Sequence, residues 1–166
     1  MGVLTDYFRA PGAAAVVRAL ELTGGARPEF GEASEGAFDG VMAKGVDPGV
    51  LLGQLVAAIR AEPWRVDLVE DAAVWPTTPQ PGPDGPWSED DPWSTGPWVT
   101  ELDDAARDAL AEVRDDRIPA AVARWAEAAE WHGADPADLL PLAEDLIALA
   151  RRARTAGERL YCWICL

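Results

Sequence analysis

Cys162 and Cys165 form a C-x-x-C, the spacing used by redox dithiols and by one half of a zinc site. A redox pair sits at a helix N-terminus, where the dipole lowers the pKa of the first thiol. Here the pair lies in LYCWICL (residues 160–166), an apolar, aromatic run that reads as a strand. Strand side chains alternate, so residues three apart point to opposite faces. The two thiols are therefore expected in the core, unable to pair or to share a metal. With His132 as the one histidine, the chain has too few soft ligands for a four-ligand zinc site. No metal and no cofactor is expected.

His132 follows Trp131 and precedes Gly133, the pattern of a helix C-terminus, where an imidazole suits the dipole. As a catalytic base it would need a nucleophile, and Ser34 and Ser88 lie in loops without a nucleophile-elbow signature. Adjacent carboxylates are plentiful: Asp90-Asp91, Asp103-Asp104, Asp115-Asp116 and Glu144-Asp145. Most stand where Asp caps helices or makes turns. No calcium-loop pattern and no phosphate-binding glycine loop is present.

The least generic chemistry is aromatic. Pro86-Trp87, Pro92-Trp93 and Pro97-Trp98 recur in GPWSEDDPWSTGPW, inside a proline-rich loop over residues 76–97 that carries Asp90 and Asp91. Each indole can bury on the order of 200 Å². The three can staple the loop onto the domain's own surface. They can form a partner or dimer interface, because tryptophan is enriched at binding hot spots. Or they can line a cleft for a sugar or a cation.

The elements that must position these residues are mostly legible. VLTDYF (3–8) alternates as a strand, and Pro11 then opens a helix with the stripe Ala13, Val16, Val17, Leu20, ended by Gly24 and Gly25. Residues 23–40 read as a long loop, with a short extended piece at Val41-Met42. Asp47-Pro48 starts a helix faced by Leu51, Leu52, Leu55, Val56 and Ile59. RVDLVE (65–70) alternates as a strand. Asp103 or Asp104 caps a helix with Ala106, Ala109, Leu110 and Val113 on one face. A helix opening at Ile118-Pro119 carries Val122, Trp125 and Ala129 and closes at Gly133. The last helix is expected over 138–156 with Asp138 as cap, because a proline deep in a helix costs about 3 kcal/mol and an earlier start would bury Pro141 in it. The strand 160–166 is expected near the middle of its sheet.

At 166 residues the chain is of single-domain length and can bury a core without staples. The expectation is one α+β domain over residues 1–166, a small sheet with the N- and C-terminal strands packed against about five helices. Four segments, MGVLTDYFRA, VDPGVLLGQLVAAI, GPWVTELDDAARDALAEV and DLIALARRARTAGERLYCWICL, follow one another as strand, helix, turn with capped helix, and helix with closing strand. In that order they resemble the YfbM-like family of small bacterial proteins of unknown function. The resemblance implies the fold and assigns no residue a role.

Composition bounds the partners. The formal charge is −15, from 29 acids against 14 Lys and Arg. That surface repels phosphate, which excludes nucleic acid and disfavours anionic membranes. No run of about 18 apolar residues and no leader pattern occurs, so a cytoplasmic protein with reduced thiols is expected. Residues 101–116 hold many of the acids, as do residues 125–150, which makes the charge a candidate surface.

The sequence reading is thus a non-enzymatic protein-interaction module, immunity- or inhibitor-like, that binds a protein partner, basic by charge complementarity, through Trp87, Asp90, Asp91, Trp93 and Trp98. The alternative is a small-molecule-binding protein or carboxylate-dependent enzyme with a cleft beside the Trp/Pro loop. A homo-oligomer is a third possibility, built on the same tryptophans.

Overall fold

The computed structural model describes residues 3–31, 38–83, 88 and 90–166. Strand β1 (Leu4–Ala10) leads to helix α1 (Ala13–Thr23) and strand β2 (Asp39–Met42). Helix α2 (Gly53–Arg60) is preceded by a π turn over Pro48–Leu52. Then come β3 (Asp71–Trp75), the short helix α3 (Pro92–Thr95) and β4 (Trp98–Leu102). Helices α4 (Asp104–Glu112), α5 (Ile118–Trp125) and α6 (Pro136–Ala156) precede β5 (Arg159–Cys165).

The strands form one antiparallel sheet in the order β2-β1-β5-β4-β3, with β5 at its centre. The fold is α+β, as the element pattern predicts. Alternation sends Tyr7, Leu160, Cys162 and Leu102 to one face, where α2, α4, α5 and α6 bury the larger core. Phe8, Ala10, Val99, Tyr161 and Trp163 point the other way, onto α1, Phe30 and Phe38. Gly40 on β2 lies under the Phe30 ring, and any side chain there would run into it.

Caps follow the acid-proline signals. Asp47 accepts from the Val50 and Leu51 amides, at 2.6 and 3.4 Å, and Asp103 accepts from Ala106 N–H at 2.6 Å. Asp103 also receives the Glu70 amide at 2.6 Å, which fixes the start of α4 against the chain entering β3. On α5, Trp125 is 1% exposed and its indole N–H donates to the Leu51 carbonyl at 2.7 Å, locking α5 to the turn before α2.

Several expectations need correction. RVDLVE (65–70) is not a strand: Val66 is 75% exposed, while Leu68 and Val69 plug the core from a turn. The strand follows it, at Asp71–Trp75. Trp98 belongs to β4 rather than to the loop, because Val99 and Leu102 pack under the helices and α1 once Trp98 pairs with Ile164. The loop itself contains α3. Helix α5 stops at Trp125, and a separate 3₁₀ turn covers Ala129–Trp131. Helix α6 starts at Pro136 with Asp135 as cap and carries Pro141 inside it. The Asp135 carboxylate accepts from Ala137 N–H at 2.8 Å, and the early start buries Leu139.

Candidate functional site

The edge strand β3 crosses the mixed face of the sheet at its least covered end. Register places Asp71 opposite Leu102 and Ala73 opposite Thr100, and on the next pair Trp98 opposite Ile164 and Thr100 opposite Cys162. Asp71, Ala73, Trp98, Thr100 and Ile164 therefore share one face, the one the helices cover further along. The loop after β3 returns over this face and brings Gln80 and Trp93 to it. The seven residues line an open pocket of about 430 Å³.

Local chemistry places the tryptophans. Asp91 caps α3 by accepting the Trp93 amide at 2.9 Å, and Pro92 fills the first helical position. The Trp93 indole N–H donates to the Thr78 carbonyl and to its hydroxyl, both at 3.1 Å. The Trp98 ring lies close against Gly96, whose φ of 72° is costly for any other residue and whose added Cβ would stand 3.3 Å from the indole. Both rings are half-buried.

The polar groups are few. Thr100 Oγ1 is buried without a hydrogen-bond partner, the kind of group that native interiors rarely leave unmet. Asp71 is exposed and pairs with no described cation. None of the lining residues is basic. Cys162, one strand in, is buried, and burial pushes its thiol well up against the opposing effect of Tyr7, with the charges of Asp71, Asp6 and Asp47 adding to the rise, which disfavours the thiolate. Tyr7 beside it is pushed up too, chiefly by burial, and its hydroxyl donates to the Val46 carbonyl at 2.7 Å.

The structure thus brings two of the residues expected to bind, Trp93 and Trp98, to one pocket. Asp91 is spent on capping α3, while Asp90 is exposed and does not line the pocket. Trp87 and Ser34 lie outside the described residues. Asp71, Gln80, Thr100 and Ile164 were not singled out by sequence. The alternation of WVTEL (98–102) is the signal that would have placed Thr100 beside Trp98.

Other candidates resolve differently. His132 is exposed, in a left-handed conformation (φ 50°), and its amide closes the Ala129–Trp131 turn. It is a turn residue, away from the pocket lining. Cys162 and Cys165 face opposite cores, as strand alternation requires. Among the described residues, no three His, Cys, Asp or Glu side chains come together as a metal site. No described helix is long and apolar enough to cross a membrane.

No protein-family model matches the chain, and no curated protein and no solved structure matches it. The YfbM-like resemblance rests on the quoted segments alone.

Proposed function

We propose that the chain is a non-enzymatic, cytoplasmic interaction module, immunity- or inhibitor-like, that binds a basic protein partner on its Trp93–Trp98 side. One observation carries this reading. Both tryptophans are half-buried, Trp93 tied by its indole N–H to Thr78, around a pocket whose one charged residue among the described lining is Asp71. Large rigid aromatics held this way lose little entropy on binding. A chain charge of −15 steers cationic partners toward it.

Capture from a native lysate at low and high salt tests the reading, with wild type beside Trp93→Ala. The expected result is a stoichiometric basic partner, held more weakly at high salt and lost with Trp93→Ala. No stoichiometric partner at either salt, or capture indifferent to Trp93, overturns it.

A second reading, small-molecule binding in the same pocket, is favoured by its volume of about 430 Å³, within the usual size of ligand sites. Retention of a low-mass compound through native purification, released on denaturation and absent from Trp98→Ala, distinguishes this reading from the first.

A further inference from the structure

We propose that the Trp93–Trp98 pocket is a site for a single organic cation, the ammonium or guanidinium of a lysine or arginine side chain. The proposal deepens the interaction reading and rests on it for the source of that side chain.

The lining is selective by what it holds. Two indoles offer the electron-rich faces over which such cations sit favourably. Asp71 supplies a carboxylate that no described cation neutralises. Gln80 adds a neutral polar side chain to the same rim. With no Arg, Lys or His among the described lining residues, the pocket offers no counter-charge for an anion.

The room for this ligand comes from the sheet. Ala73 is the cross-strand partner of Thr100, and its methyl leaves room on this face that a larger side chain would fill. A pocket of about 430 Å³ lies within the usual size of ligand sites. It exceeds what one side chain fills, so it takes the cation together with part of its aliphatic stem. The stem lies along Ile164 while the charged end sits against the indoles and reaches Asp71.

The test titrates the intact protein with N-acetyl-arginine amide, N-acetyl-lysine amide, neutral N-acetyl-citrulline amide and methyl glucoside. Indole fluorescence and the indole N–H resonances of Trp93 and Trp98 report binding. The expected result is saturable binding of at least one cationic amide, with citrulline about tenfold weaker or worse. Asp71→Asn, a change at an exposed position, is expected to weaken the cation about fivefold and leave the fold unchanged. Trp93→Leu, which removes the indole and keeps an apolar side chain, is expected to weaken it as well. Added salt weakens the cations and spares the glucoside.

Equal binding of citrulline and arginine overturns the proposal. So does tighter binding of the glucoside, or cation binding unmoved by both Asp71→Asn and Trp93→Leu. If neither cationic amide binds while partner capture still requires Trp93, the cation site fails and the interaction reading stands. If the amides bind as expected and no partner is captured, the cation site stands and the interaction reading fails.

Discussion

Arg27 closes over Asp6 with two guanidinium nitrogens, the Nη2–Oδ1 contact being 2.8 Å, so that a carboxylate 2% exposed inside β1 is neutralised from the loop after α1. The arginine itself is half in solvent, its side chain 46% exposed. It is a clamp from outside on a charge held inside. Removing it leaves that charge buried and unpaired. Arg27→Ala is expected to cost about 2–3 kcal/mol, at the lower end for a buried pair because one partner is solvated. The control is Arg65→Ala, whose pair with Asp67 is exposed on both sides and is worth under about 0.5 kcal/mol. Urea unfolding of both variants checks the ranking, and equal losses would refute the clamp.

Asp39 on β2 gathers two arginines from distant elements. Arg152 of α6 grips both its oxygens, at 2.6 and 2.8 Å, and Arg9 of β1 donates at 2.7 Å. Arg152 foremost, and then Arg9, hold this carboxyl below its usual range against the opposing effect of burial. A depressed folded-state pKa adds stability that is fully present above the unfolded-state value, about 3.9, and is lost as pH falls through the folded one. Asp39→Asn is therefore expected to cost about 1 kcal/mol at neutral pH, the partial exposure of the arginines limiting the value. The gap between variant and wild type closes as pH drops below about 4. Denaturation midpoints taken at descending pH check this, and a gap that widens in acid contradicts it.

The two thiols have separate fates. Cys162 is buried against the larger core and its thiol is pushed up, whereas Cys165 is half-exposed beside the smaller core. One thiol per chain is expected to react with a disulfide reagent under native conditions and the second after unfolding. Cys165→Ser is expected to remove the native reaction. If Cys162→Ser removes it instead, the faces are assigned wrongly.

Deletion of residues 160–166 removes nearly all of the central strand, which pairs with β1 on one side and β4 on the other. It also takes Leu160, Tyr161, Cys162 and Trp163 from both cores. The expected outcome is loss of soluble, cooperatively folding protein. Cooperative unfolding of the truncated chain, seen by circular dichroism, would contradict this placement.

Much of this architecture is written locally. Asp47-Pro48 and the caps at Asp103, Gly24 and Gly157 can be read off because capping chemistry acts within one turn. Pro141 is the instructive failure. Local cost argues for Asp138 as the start of α6, but the structure starts at Asp135 and tolerates the proline. Burial of Leu139 and the Asp135 cap outweigh one missing backbone bond. Strand β3 fails for a related reason. Ala72 and Ala73 have little strand preference of their own, and pairing with β4 recruits them, whereas RVDLVE (65–70) alternates without a partner to pair with. The pocket inherits the second error. Trp93 and Trp98 are conspicuous in sequence, but Asp71 and Thr100 meet them only through the β3–β4 register, with its irregularity between Ala73 and Trp75. A register is set by two segments together and is not contained in either.

Among the described residues the sheet has two outer strands, β2 and β3, with no further strand beside them. Such rims are templates on which copies of a chain can stack into fibres. Both are short, at four and five residues, which leaves little edge to pair. Asp39 on β2 is spent on Arg9 and Arg152, whereas Asp71 on β3 meets no described cation. Two copies approaching by their β3 rims would bring acid toward acid within a surplus of fifteen negative charges, a repulsion that weakens toward the isoelectric point near 4.3.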